Sequence, residues 1–454
     1  MSKRALIALT IFLLQAAILP HIVCAEEGFD VERLPLGDPA MKYDFCSVKL
    51  DKIYDCKANS IISFEELIQR LKPYQVVMVG EGHTSDEHHI VQYQVIKGLV
   101  ESGRKVCLAL EMFTPAQRAA LDDYVNGKYP AEEFWDNAGW FDSWGYNIRY
   151  YQRIFDLARL HGIRLYGVNV DRKYAGMLRK GTLQTLPDEE YKALPQIDTS
   201  NVEHRFLIKN FMEGMDATQP GMFRNLYQAQ SLWDAAMGDG AIRAAAENPD
   251  AVVVVLAGSG HVIYNLGIGR IIQNRSDLAV ASVIPIDISQ KKEESIMMKI
   301  KKALPKKMDP KAKSGDQKAA AMPAKPKMMP AMAPPDTTPS KIVIRSLGNF
   351  LWGVDDHEGK TKYPTFGVSI KEKDDQGFVI ERIYPESIAE ENGLQKDDVI
   401  LSVDTKDFPS KNELRKYLGT KNWDEMIRFE IQRGNETQVI EFELKWTKKT
   451  SDSE

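Results

Sequence analysis

The sequence predicts an α/β fold: a mostly parallel sheet flanked by helices, then a flexible linker and a small β-rich module. Three observations predict it. Val-rich apolar runs alternate with amphipathic stretches from about residue 61 to 288. Carboxylates and imidazoles recur just after those apolar runs. Past residue 289 the composition turns to Lys, Pro, Ala and Met, and past 344 short alternating apolar runs return.

Residues 1–25 read as a cleaved signal peptide. Lys3 and Arg4 precede an apolar run, and Val23-Cys24-Ala25 offers a small-x-small site, so cutting is predicted after Ala25. The run is short for a membrane span, and the residues before Cys24 argue against lipidation. An exported protein of the bacterial periplasm is expected. Residues 26–60 read as an N-terminal extension in which Cys46 and Cys56 could close a small loop in an oxidising compartment. Cys107, inside "KVCLALE", reads as a core thiol. The absence of Cys-x-x-Cys removes support for a zinc ribbon, a thioredoxin-like centre and a covalent c-type haem. A chain of 454 residues suggests two or three domains. Its 43% hydrophobic and 27% charged residues can build a sizeable core. A net charge of −5 gives no case for nucleic-acid binding.

Between residues 61 and 288 the apolar runs fall at 76–80, 106–112, 163–170, 251–258 and 281–286. Runs without polar interruption fit strands covered on both faces, as in a parallel sheet. Amphipathic stretches such as "DEHHIVQYQVIKGLVESG", with Ser85 as cap and a stop near Gly103, supply the crossover helices. In an open parallel sheet all carboxyl ends lie on one edge, and ligands bind in the crevice there. Glu81 and His83 follow the first run, Glu111 the second, Asn169 and Asp171 the third, and His261 the fourth. Two Gly-x-x-His units, "GEGH" at 80–83 and "GSGH" at 258–261, let backbone approach a ligand while imidazole supplies a base or metal ligand. His88 and His89 open the next helix. His89 is expected to face the crevice, because Tyr93, Ile96 and Val100 continue its face, which leaves His88 toward solvent.

Residues 289–344 cannot bury a core and read as an extended Lys/Pro/Ala/Met linker. Its Met cluster, "KMMPAM", reads as linker rather than as a Cu(I) site. Residues 345–447 carry "FGVSI", "GFVIERI", "DVILSVD", "IRFEIQRG" and "QVIEFELKW", with "SKNELRKYL" among them as a helix. With "YPTFGVSI" and "GFVIERIYPESIAEENGLQKDDVILSVDTKDF", this stretch resembles a PDZ domain. The resemblance implies a groove for a partner's C-terminal or extended peptide. Thr365, Phe366, Gly367 and Val368 would form its loop and strand edge, and Leu414 and Tyr417 its helix side.

"VVMVGEGHTSDEHHIVQYQVI", "VCLALEMFTPAQRAALDDY" and "AGSGHVIYNLGIGRII" resemble the ChaN-like family of haem-binding, iron-regulated proteins, within a superfamily that includes Tiki-type metalloproteases and erythromycin esterases. "YQAQSLWDAAMGD", with Gln230, Trp233, Asp234 and Met237, fits as well. The resemblance implies haem as cofactor, with Glu81, His83, His89, Glu111 and His261 as the polar site and a homodimer as a possible assembly. It also implies a ligating tyrosine. No motif places it among Tyr146, Tyr150 and Tyr151, and Tyr150 is the expected position. A first alternative is a metal-dependent hydrolase. His83, Glu111 and His261 would then hold zinc, manganese or iron, with Glu81 or His89 as catalytic base and the PDZ module presenting substrate. A second alternative is a non-enzymatic scaffold that gathers envelope proteins.

Overall fold

The computed structural model describes residues 30–211, 221–289, 337–357, 363–373, 377–385 and 387–446. The expected leader and most of the expected linker lie outside the described residues.

The main sheet has eight strands. Six run parallel: β4 (Val76–Glu81), β5 (Lys105–Leu110), β6 (Arg164–Gly167), β7 (Ala251–Gly258), β8 (Val280–Ile288) and β10 (Phe350–Asp355). Their spatial order is β10-β8-β4-β7-β5-β6. β7 lies between β4 and β5, and every one of its residues is buried. That position explains its run of valines: each fully buried Val or Leu side chain contributes roughly 1.5–3 kcal/mol, and no face is left for polar residues. Helices cover both faces. The helix Asp86–Glu101 starts where the Ser85 side chain accepts the His88 N–H. It then lies close against Phe64–Leu71, where a Cβ at Gly98 would stand 2.6 Å from Ile68.

The structure extends this domain in two directions. The expected extension at 26–60 is part of the fold: β2 (Ile53–Asp55) and β3 (Ser60–Ile62) complete the sheet beside β10, antiparallel. β1 (Phe45–Lys49) pairs with β9 (Ser340–Ile344) as a separate ribbon. The module expected from 345 therefore starts later, and the linker expected to reach 344 ends earlier. The physical reason lies in Phe350 and Leu351, which are buried in the cores of the first domain; pairing β10 with β8 buries them and satisfies the edge of that sheet. Cys46 and Cys56 are buried thiols of one apolar cluster that face each other as hydrogen-bonded neighbours rather than as a disulfide, and Cys107 is a buried thiol as expected.

The second module is an antiparallel sheet of β11 (Val368–Glu372), β12 (Phe378–Ile383), β13 (Val399–Val403), β14 (Met426–Arg433) and β15 (Glu436–Glu443), in sequential order. β11 is one edge. The helix Lys411–Gly419, capped by Ser410, packs beside it. Among the described residues no helix is long and apolar enough to cross a membrane.

Candidate functional site

The carboxyl ends of β4, β7, β5 and β6 stand side by side and open into a cavity of about 830 Å³. That lies within the roughly 300–1,000 Å³ of small-molecule and cofactor sites. Its walls include His83, Glu111, Trp144, Tyr146, Trp233 and His261.

The two Gly-x-x-His units meet here because β4 and β7 are neighbours, with Glu81 in register with Gly258. Each glycine makes room for the other unit. A Cβ at Gly80 would stand 2.8 Å from Ser259 Oγ, and one at Gly258 3.0 Å from His83 Cε1.

One half of the site is organised by Glu81. Its Oε1 is 2.9 Å from His83 Nδ1 and accepts the Tyr151 hydroxyl at 2.7 Å. Its Oε2 accepts from Gln92 at 2.7 Å and stands 3.5 Å from His89 Nδ1. The Trp144 indole in turn donates to Tyr151 at 2.9 Å. Burial pushes the Glu81 carboxyl up, but the charge of His89 and the hydrogen bonds from His83 and Tyr151 outweigh it, bringing it to about 2. His83, lowered by burial, is raised on balance by Glu81 and Glu111. Its ring sits 4.7 Å from Trp144 and 4.9 Å from Tyr146, with Nε2 left for the cavity.

The other half is organised by Asp234. Its Oδ1 accepts from His261 Nδ1 at 2.7 Å, and its Oδ2 is 3.1 Å from His204 Nε2. His261 Nε2 faces Glu111 Oε1 at 3.4 Å. Glu111 Oε2 accepts the Gly258 N–H at 2.7 Å. Burial lowers His261, but Glu111 and Asp234 raise it to about 9, so it is an imidazolium at neutral pH.

Of the expected residues, His83, Glu111 and His261 line the cavity together. Glu81 stands directly behind His83. His89 is fully buried behind Glu81, contacting the His83 carbonyl at 3.2 Å, so it supports the wall rather than facing the crevice. His88 does not face solvent. It is 6% exposed, accepts the Gly82 N–H at 2.7 Å and reaches Asp287 at 2.9 Å, because its place in the first helical turn folds the ring back under the strand end. Tyr150 is buried against Tyr363 and His89 and does not line the cavity, whereas Tyr146 does.

The expected metal set does not fit a metal as it stands. Glu111 is engaged by Gly258 and His261, and among the described residues no group of three or more His, Cys, Asp or Glu is arranged as a metal centre. An aromatic cofactor fits better: Trp144, Tyr146 and Trp233 line the cavity, and Arg172 and Arg179 stand on its walls.

In the second module, Val368 begins β11, the sheet edge, and Thr365 and Gly367 lie in the loop just before it. Phe366 and Leu414 do not line a groove surface; both are core residues, and Leu414 is fully buried because the helix turns that side onto the sheet. Tyr417 points toward Phe408 and donates to Asp404 at 2.8 Å.

Sequence reasoning missed His204 and the walls Arg172 and Arg179. No spacing announces His204, since its role exists only where its helix, Val202–Phe211, meets Met222–Glu247. Gln230 and Asp234 did leave a signal: four residues apart, they share a helix face and both reach His261.

Residues 67–272 match the family described as haem-binding uptake, Tiki superfamily, ChaN, and residues 359–432 match the PDZ domain. No curated protein matches the chain. Among solved structures, the chain is similar to ChaN of Campylobacter jejuni with cofacial haem, at 21% identity over 52% of this chain and 90% of that one, TM-score 0.43. It is also similar to a mutant of the erythromycin esterase EreC in its open conformation, at 16% identity over 54% and 77%, TM-score 0.33. The HtrA-type protease AlgW with a decapeptide matches at 18% identity over 20% and 31%, TM-score 0.18. The chain therefore carries a ChaN domain of the Tiki superfamily over residues 67–272 and a PDZ domain over residues 359–432.

Proposed function

We propose that the ChaN domain binds haem in the cavity at the carboxyl edge of its sheet. The observation that carries this reading is the aromatic wall around His83: Trp144 at 4.7 Å and Tyr146 at 4.9 Å, in a cavity of about 830 Å³. Trp144, Tyr146 and Trp233 would flank the ring, and Arg172 and Arg179 would meet its carboxylates. The bound group would supply a redox-active iron. Glu81 holds His83 through Nδ1, so that Nε2 would be the atom offered to the iron. Haemin added to the purified full chain should give a saturable Soret shift that His83→Ala weakens. A flat titration of a well-folded sample would sink the reading.

One observation favours a second reading, hydrolysis without a metal. The Glu81–His83 pair is a carboxylate-oriented imidazole at a cavity wall, the arrangement of a general base. Turnover of p-nitrophenyl acetate that disappears in His83→Ala would support it.

The PDZ domain, on the same proposal, takes a C-terminal or extended peptide of an envelope partner along the β11 edge. The support is that β11 ends the sheet and that Gly367, at φ +67°, shapes the loop before it. Export completes the reading, with residues 1–25 removed; N-terminal sequencing of the mature protein should begin at Glu26.

A further inference from the structure

The helix beside β11 is not free on its other side. Arg415 donates to the Phe141 carbonyl at 2.9 Å, and Lys416 pairs with Asp136. Asn147 donates to the Gly419 carbonyl at 3.0 Å. Arg149 donates to the Lys421 carbonyl at 2.6 Å and to Asn422 Oδ1 at 3.0 Å, while its guanidinium lies 3.6 Å over the Tyr363 ring. The PDZ domain therefore holds residues 136–149 of the ChaN domain through side chains and backbone alike.

That gripped stretch is the cavity wall. Residues 136–146 supply eight of its lining residues, Trp144 and Tyr146 among them. The wall is built from two four-residue helices, Phe134–Asn137 and Trp140–Ser143, with Gly139 and Gly145 both at positive φ. Helices this short do not hold themselves together; packing must hold them. Phe134, Trp135 and Trp140 anchor one side in the core. The PDZ helix anchors the other.

The same helix borders the peptide edge. The Lys411 N–H donates to Glu372 at the end of β11, at 2.8 Å. Arg415 follows one turn later along the same helix. The helix that grips Phe141 thus also touches the end of β11.

We propose that the PDZ helix is a brace on the ChaN cavity wall, so that the peptide groove and the cavity are linked sites. A peptide wedged between β11 and the helix shifts the brace, and the wall that carries Trp144 and Tyr146 shifts with it. By linkage, a cavity ligand that fixes the wall changes groove affinity by the same factor. The inference rests on the cavity being a ligand site, but the brace itself does not.

The test uses the full chain and two variants, Arg149→Ala with Arg415→Ala together, and Arg415→Gln alone as the milder change. Neither residue lines the cavity. Hydrogen exchange over 134–149 should quicken by about tenfold or more in the double variant, a loss of roughly 1.4 kcal/mol of local protection. β4 and β7 should stay protected, which shows that the domain is folded. Haemin affinity should shift by roughly 5- to 150-fold, the usual span of coupling between sites. Unchanged exchange in both variants overturns the brace. Faster exchange with unchanged haemin affinity overturns the linkage. Faster exchange in a protein that never binds haemin upholds the brace and overturns the haem reading instead.

Discussion

Asp234 Oδ1 stands 2.7 Å from His261 Nδ1, and both residues are buried, with His261 on the cavity wall. The carboxylate, itself lowered despite burial by its two histidine neighbours, fixes His261 as a cation whose other nitrogen faces Glu111. Because the folded His261 titrates near 9 rather than at the ordinary 6.5, the stability it contributes is complete below about 6.5 and is lost as pH rises through 9. His261→Asn should flatten the decline between pH 6.5 and 9, a contribution on the order of a few kcal/mol. Urea unfolding across that range measures it, and a decline of unaltered size would count against the Asp234–His261 pair as its source.

Glu81 acts at the opposite end of the pH scale. Its folded value near 2 lies below the ordinary 4.5, so its contribution is present above 4.5 and is lost as pH falls through 2. Glu81→Gln should remove that acid-side dependence. It should also destabilise the fold by about 1–3 kcal/mol, because donors around the lost carboxylate are left without their acceptor. Thermal melts from pH 2 to 7 would show both.

Gly258→Ala tests the close approach of the two motifs. The added Cβ would stand 3.0 Å from His83 Cε1, so the ring must move. Haemin affinity should fall while stability drops by only about 1–3 kcal/mol. A variant that binds haemin as the parent does would show that His83 is not at the ligand.

Trp144→Ala and Tyr146→Phe should each weaken haemin binding, since both residues line the cavity. Tyr150→Phe should leave the Soret titration unchanged, because Tyr150 lies in the core behind His89. The reverse ranking would move the ligand to a different wall.

Gly367→Ala should destabilise the PDZ domain by roughly 1–3 kcal/mol. The position has φ +67°, and the new Cβ would overlap Ser387. Calorimetry should show a lowered transition for the second module with the ChaN domain unaffected.

The legible parts share a physical property: they are set by local pattern. β4 and β7 were readable because a strand covered on both faces must be apolar throughout. Glu81, Glu111 and His261 were readable as a group because parallel strands deliver their carboxyl ends to one edge. β2, β3 and β10 were not readable as part of that sheet. β2 and β3 are only three residues each, too short to show a pattern, and β10 pairs with β2 and β8, both far from it along the chain. His88 was misplaced because the periodicity of its helix says nothing about a ring folding back onto Gly82.

The sequence by itself determined the alternation of strands and helices between residues 61 and 288, the edge where the polar residues collect, and the presence of a second, β-rich module. Tertiary structure decided which imidazoles face the cavity, that Asp234 joins His204 to His261, and that Arg149 and Arg415 tie the two domains together. The division follows from range. Burial and backbone pattern repeat over a few residues and leave a trace in the sequence. A hydrogen bond between side chains on distant elements depends on where the elements come to rest.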